Sequence, residues 1–150
     1  TETGGRLKQI EKYIDTDRFF VSYADGVSDI SIAALLETHQ KQGHPATMTC
    51  VRPATHYGIV DIAQDGTITN YNEKPKLEVR VNGGFFCFNK EVFQYMGEHE
   101  MLEREPMQRL IINYHLGAYV HEGFWACMDT YKDYQNLNAL WTRGEAPWRK

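Results

Sequence analysis

The run Phe19-Phe20-Val21-Ser22-Tyr23-Ala24-Asp25-Gly26 limits the possible folds more than any other stretch of the chain. It is apolar and aromatic for five of its first six residues, then stops on an acid and a glycine. Such a run predicts a strand buried on both faces, as in a parallel sheet. Ser28 or Asp29 then caps an amphipathic helix from Ile32 to Gln40, which Gly43 closes. This order places Asp25 at the carboxyl end of a strand, where open α/β sheets bind ligands. An acid beside a glycine suits a hard cation carried in by a phosphate. It equally suits a plain turn, and this stretch alone leaves both readings open.

The 150 residues correspond to one domain, 1–150, with 42% hydrophobic residues to build a core. A net charge of −4, with Lys and Arg scattered, offers no basic stripe for a nucleic-acid partner. No apolar run approaches the roughly 20 residues of a membrane span, so no membrane partner is expected. Cys50, Cys87 and Cys127 sit in apolar runs without metal spacing, which reads as reduced core thiols and a cytoplasmic setting. The chain opens on Thr1-Glu2 without a methionine and its structural signals start at once, so it reads as part of something longer.

Along the chain, Thr3-Gly4-Gly5-Arg6 precedes Leu7, Ile10, Tyr13 and Ile14, a stripe at helical spacing. Glycines ahead of a helix offer backbone N–H groups to an anion or a ring, with Arg6 as a fork of donors; a simple loop is the alternative. Ala46 to Val51 reads as a second buried strand. Tyr57 to Ile62 and Thr67 to Tyr71 form a half-exposed antiparallel pair turned by Gln64-Asp65-Gly66. In Glu73-Lys74-Pro75-Lys76 the proline predicts an extended Lys74. Its ammonium suits a phosphate and Glu73 a sugar hydroxyl, unless the pair is a charged surface turn. Gly83 and Gly84 interrupt the β-rich run from Val79 to Phe88, marking a bulge or a close approach, with Asn82 placed to bond ring hydroxyls.

Lys90 to Met96 reads as a short helix with Val92, Phe93 and Met96 inward. Glu103 to His115 reads as a longer one with Leu110, Ile111 and Tyr114 on its core face and Gly117 at its end. Short strands follow at 118–121 and 123–128. Thr130 with Asp133 resembles a capping box for a helix through Tyr131, Leu137 and Trp141. That cap leaves Asp129 as a second acid at a strand-to-helix junction, like Asp25. The six histidines share no metal spacing, and no nucleophile sits in a Gly-rich elbow.

Taken in order, Thr3-Gly4-Gly5-Arg6, Tyr23-Ala24-Asp25-Gly26-Val27-Ser28-Asp29, Glu73-Lys74-Pro75-Lys76, Asn82-Gly83-Gly84-Phe85-Phe86, His121 to Thr130 and the closing Leu140 to Lys150 resemble the glucose-1-phosphate cytidylyltransferases. These form a branch of the sugar-phosphate nucleotidyltransferases, and the resemblance covers the whole chain. Glu-Lys-Pro belongs to the wider superfamily, whereas Gly-Phe-Trp…Met-Asp-Thr and Ala-Pro-Trp are particular to the cytidylyl branch.

The resemblance implies an α/β fold with a mixed sheet flanked by helices, the rear part of a Rossmann-like nucleotidyltransferase lacking its N-terminal nucleotide-binding loop. It implies cytidylyl transfer from CTP to glucose 1-phosphate by the complete protein, giving CDP-glucose and pyrophosphate with Mg²⁺. It also implies a homo-oligomer and a place in lipopolysaccharide O-antigen biosynthesis. Asp25 and Asp129 resemble the metal ligands and Lys74 the cation on the sugar phosphate. Glu73, Asn82 and Gly83 resemble the glucose contacts. Thr3, Gly5 and Arg6 resemble the pyrimidine-lining segment, with Ala24 beside the nucleotide. Without the phosphate loop, the fragment alone is expected to be inactive. The alternatives are a sister enzyme using UTP or dTTP, or a non-catalytic sugar-phosphate-binding or assembly module.

Overall fold

A nine-residue strand, β6 (Val81–Asn89), carries the centre of the molecule. It is flanked by β1 (Arg18–Val21) and β3 (Ala46–Val51), and β7 (Leu116–His121) completes the four-stranded order β1-β6-β3-β7. Strands β1 and β3 run antiparallel to β6, while β3 and β7 are parallel, so the sheet is mixed as expected. This computed structural model describes residues 2–149. Thr1 and Lys150, the outermost residues of the opening and closing runs, lie outside the described residues.

Period-two alternation along β6 sends its side chains to two faces. Phe86 and Phe88 point to a core closed by α1 (Thr3–Ile10), the 3₁₀ segment Lys90–Tyr95 and α3 (Glu105–Ile112), with Leu7, Val92, Phe93, Met107 and Leu110 buried among them. On the other face α2 (Ile32–Gln42) buries Leu35 and His39. Both ring nitrogens of His39 are held, by Thr47 at 2.8 Å and Asn89 at 2.9 Å, which satisfies a polar side chain only 2% exposed. Two small ribbons stand apart from this sheet. One pairs β4 (Ile59–Ile62) with β5 (Ile68–Asn72) antiparallel through Gly66 at φ 88°, as expected, but it is exposed along both strands rather than half-exposed, because neither face packs on the sheet. The other pairs β2 (Gly26–Ser28) with β8 (Trp125–Cys127), after which α4 (Tyr131–Thr142) begins.

Several sequence-level expectations are corrected. The aromatic run forms β1 as an antiparallel edge strand, not a doubly buried parallel one. Its register turns Phe19 inward, where it stacks on Phe93 at 5.2 Å, and leaves Phe20 45% exposed. Ser31, not Ser28 or Asp29, caps α2 by accepting from the Ala34 N–H at 3.1 Å, while Gly43 ends it in the left-handed region as expected. Helix α3 ends at Ile112, with Ile111 and Tyr114 exposed, and Gly117 is buried in β7.

The Thr3-Gly4-Gly5-Arg6 segment is also not a loop: it is the first turn of α1. Its glycines serve packing. The Gly5 N–H donates to the Glu100 carbonyl at 3.1 Å, and a Cβ on Gly4 would stand 2.7 Å from that same oxygen. The Thr3 hydroxyl donates to Glu103 at 2.7 Å and accepts from the Leu102 N–H at 2.9 Å. Gly4→Ala is therefore expected to destabilise the chain by about 1–3 kcal/mol, as overpacking against fixed backbone does. Gly26→Ala, whose Cβ meets nothing within 4 Å, should stay within about 0.5 kcal/mol. Urea midpoints at unchanged m-value check both.

Candidate functional site

The β2–β8 ribbon decides where the two singled-out acids lie. Its register pairs Gly26 with Cys127, and the Met128 N–H donates to the Asp25 carbonyl at 2.9 Å. Asp25 and Asp129 thus flank the same end of the ribbon, some hundred residues apart in sequence. Their carboxylates and the Cys127 sulfur place ligand atoms all within 4.8 Å of one another. Asp129 is free for this because Thr130 caps α4 in the expected box: its hydroxyl accepts from the Asp133 N–H, and Asp133 accepts from the Thr130 N–H at 2.9 Å.

The other end of the ribbon is pinned by Asp29. Its carboxylate accepts the Phe124 N–H at 2.8 Å and meets His121 Nε2 at 2.8 Å. Trp125 Nε1 donates to the Gly83 carbonyl at 2.8 Å, anchoring the ribbon to β6. There the expected bulge is present. Gly84 and Phe85 both have positive φ, and the β3–β6 register shifts between Met48 and Cys50.

Two carboxylates converging at one exposed point fit a hard divalent cation, which takes oxygen ligands at about 2.1 Å. Beside them opens a cavity of about 190 Å³ lined by Ala24, Asp25, Val27, Met128, Trp141 and Trp148. Trp148 is fixed by stacking on Phe124 at 5.4 Å, and Arg149 lies over the Trp141 ring at 4.9 Å. A second, wider cavity of about 630 Å³ holds Lys74 together with Thr55, His56, Thr130, Lys132 and Asp133 at the start of α4. Lys74 and Lys132 bring two ammonium groups to this cavity, which suits a phosphate, beside the Asp133 carboxylate that caps α4.

The structure thus joins Asp25, Asp129 and Ala24 and puts Lys74 in a cavity next along α4. Lys74 is not extended: its φ is 47°, a left-handed backbone that costs of order 1–3 kcal/mol and overrides the usual effect of the following proline. Its ammonium meets Glu73 at 3.3 Å, and Glu73 also accepts from the Tyr71 hydroxyl. Neither that ion pair nor that cavity includes Asn82 or Gly83. The Asn82 amide instead donates to the Tyr23 hydroxyl at 3.1 Å and accepts from the Gly84 N–H at 2.9 Å. Tyr23 in turn donates to Glu103 at 2.5 Å, and burial with that hydrogen bond pushes its phenol above the ordinary value. Thr3 and Gly5 are spent on the α1 contacts already described, and Arg6 is an exposed residue of that helix.

Cys127, Trp141, Lys132 and His56 escaped sequence reasoning as site residues. Cys127 sits in an apolar run that looks like core, and only the Gly26 pairing reveals it. The spacing of Leu137 and Trp141 on one face of α4 was a usable signal for the first cavity.

A nucleotidyl transferase family model matches residues 2–144. The glucose-1-phosphate cytidylyltransferase of Salmonella typhi is 39% identical over 150 residues, covering 98% of this chain and 58% of that protein. A probable glucose-1-phosphate cytidylyltransferase of Bacillus subtilis (strain 168) is 34% identical over 151 residues, 99% of this chain and 59% of the relative. The crystal structure of HddC from Yersinia pseudotuberculosis superposes with a TM-score of 0.64 over 90% of this chain and 60% of its own, at 20% identity. That likeness supports the fold. The chain spans somewhat over half the length of the curated relatives it matches.

Burial, the hydrogen bond to Asp129 at 3.2 Å and the charge of Asp25 push the Cys127 thiol up to about 12. Alkylation of Cys127 by iodoacetamide is expected to be slow at pH 8 and to rise through pH 9 without levelling. Replacing both acids (Asp25→Asn with Asp129→Asn) lowers the thiol toward its ordinary value and should speed the reaction. Mass spectrometry of the Cys127 peptide checks this; a rate levelling near pH 8.5 in the parent chain contradicts it.

Proposed function

The chain belongs to the nucleotidyl transferase family, and from that premise we propose that, in a protein of its relatives' length, it serves cytidylyl transfer from CTP to glucose 1-phosphate, releasing pyrophosphate and forming CDP-glucose. The observation that carries this reading is the convergence of Asp25 and Asp129 beside the tryptophan-lined cavity. The 39% identity to a cytidylyltransferase across 98% of the chain supports the choice of base and sugar.

In this reading Asp25 and Asp129 hold a magnesium ion, which, when bound, neutralises charge on the reacting phosphates. Most of the remaining work is alignment. Lys74 binds the sugar phosphate, and Lys132 in the same cavity adds to its positive field. Ala24 and the Trp141–Trp148 surface shape the nucleotide side of the centre. Glu73 reaches a glucose hydroxyl by releasing one of its present partners, Tyr71 or Lys74. Asn82 and Gly83 act by holding Tyr23 and the ribbon in place. Thr3 and Gly5 likewise hold α1 in place. The 150-residue chain by itself is read as too short for turnover, the remaining phosphate contacts coming from the rest of a relative-length protein.

Lys74→Ala in the complete protein is expected to lower kcat/KM for glucose 1-phosphate about ten- to a hundredfold, the size of one charge-assisted contact. The KM for CTP should change far less. Pyrophosphate release with CTP, UTP and dTTP in turn checks the assignment. Unchanged kinetics in the variant return Lys74 to a surface turn, and faster turnover with UTP or dTTP moves the protein to a sister activity. Release with none of them leaves a binding module.

A further inference from the structure

Cys127 is the one thiol that faces the acid pair; Cys50 and Cys87 lie on β3 and β6 in the four-stranded sheet. We propose that the Cys127 sulfur is a third ligand of the Asp25–Asp129 centre and shifts its preference from magnesium toward softer divalent cations such as cobalt or zinc. This rests on the reading of the two acids as cation ligands and deepens it.

The geometry comes from the ribbon. Cys127 pairs with Gly26, so its side chain leaves β8 one residue from Asp25 on one strand and two from Asp129 on the other. Its sulfur lies 3.2 Å from Asp129 Oδ1, and all three ligand atoms fall within 4.8 Å of one another. The thiol hydrogen therefore occupies the interval between sulfur and carboxylate that a shared cation takes over. On binding, a metal–sulfur bond replaces the S–H bond, and the proton leaves to solvent. Magnesium keeps to oxygen ligands and gains nothing from the sulfur. Cations of intermediate softness accept thiolate together with carboxylate. Three protein ligands on one side also leave coordination positions open for phosphate oxygens, the pattern of catalytic metal sites. The half-buried Cys127 is held by the pairing of β8 with β2, so no rearrangement of the ribbon is needed to engage its sulfur.

Cobalt(II) titration of the 150-residue chain under anaerobic conditions tests this directly, with absorption and calorimetry read together. The expected result is one bound cobalt with a near-ultraviolet sulfur-to-metal charge-transfer band, retained in Cys50→Ser and lost in Cys127→Ser. Cobalt affinity in Cys127→Ser should fall at least about tenfold, since even outer-shell changes cost that much. Its magnesium affinity should stay close to the parent's, which also reports an intact ribbon. Cobalt bound without the band overturns the sulfur ligand and leaves the carboxylate pair standing. Absence of bound cobalt overturns the pair and the proposal together. If Cys127→Ser binds neither metal, its ribbon has collapsed, and the parent chain's band with that of Cys50→Ser decides.

Discussion

Three backbone residue pairs between β2 and β8 hold the candidate centre together. They join segments about a hundred residues apart, a closure whose entropic cost grows only slowly with loop length but still has to be offset. Asp29 offsets part of it by taking the Phe124 N–H and the His121 ring at once. Trp125 adds a bond to the Gly83 carbonyl, which ties the ribbon to the central strand at its bulge. Because Gly83 packs against Val51, with room for no Cβ, the bulge is itself held by β3. The acids are therefore positioned through a chain of contacts that runs from the core sheet outward, although the ribbon belongs to neither edge of that sheet.

This arrangement explains which parts of the site were legible in the sequence. Asp25 and Asp129 announced themselves locally, as acids at the boundary of an apolar run, and Thr130 with Asp133 showed that Asp129 was not needed as a cap. Lys74 was legible as a cation but not as a conformation. Its left-handed backbone lies two residues before the Ala54–Lys76 bridge, and no local rule predicts it. Gly4 and Gly5 look like an anion-binding loop in isolation because the Glu100–Leu102 backbone that fills their faces lies far along the chain. Cys127 was hidden for the same reason: an apolar run does not say which of its residues faces another strand's end.

The fold class was more readable than the sheet order. The burial of β3 and the hairpin at Gly66 follow from local pattern, and the structure has both. The aromatic richness of residues 19–23 suggested burial on two faces, yet only Phe19, Val21 and Tyr23 pack against the core. Phe20 faces outward because β1 has a single neighbour, and edge status is a property of the assembled sheet.

Electrostatically, the centre is poised for a cation. Two carboxylates within reach of each other repel, and a divalent ion relieves that repulsion while bridging them. Locating such an ion tests the account most directly. Manganese added in small steps to isotopically labelled chain should broaden the amide signals of Asp25, Gly26, Met128 and Asp129 before any others, through its paramagnetism. That pattern should vanish when both acids are changed to asparagine. Broadening that begins instead at Asp61 and Asp65 on the β4–β5 hairpin, or that persists without the two acids, would contradict the assignment.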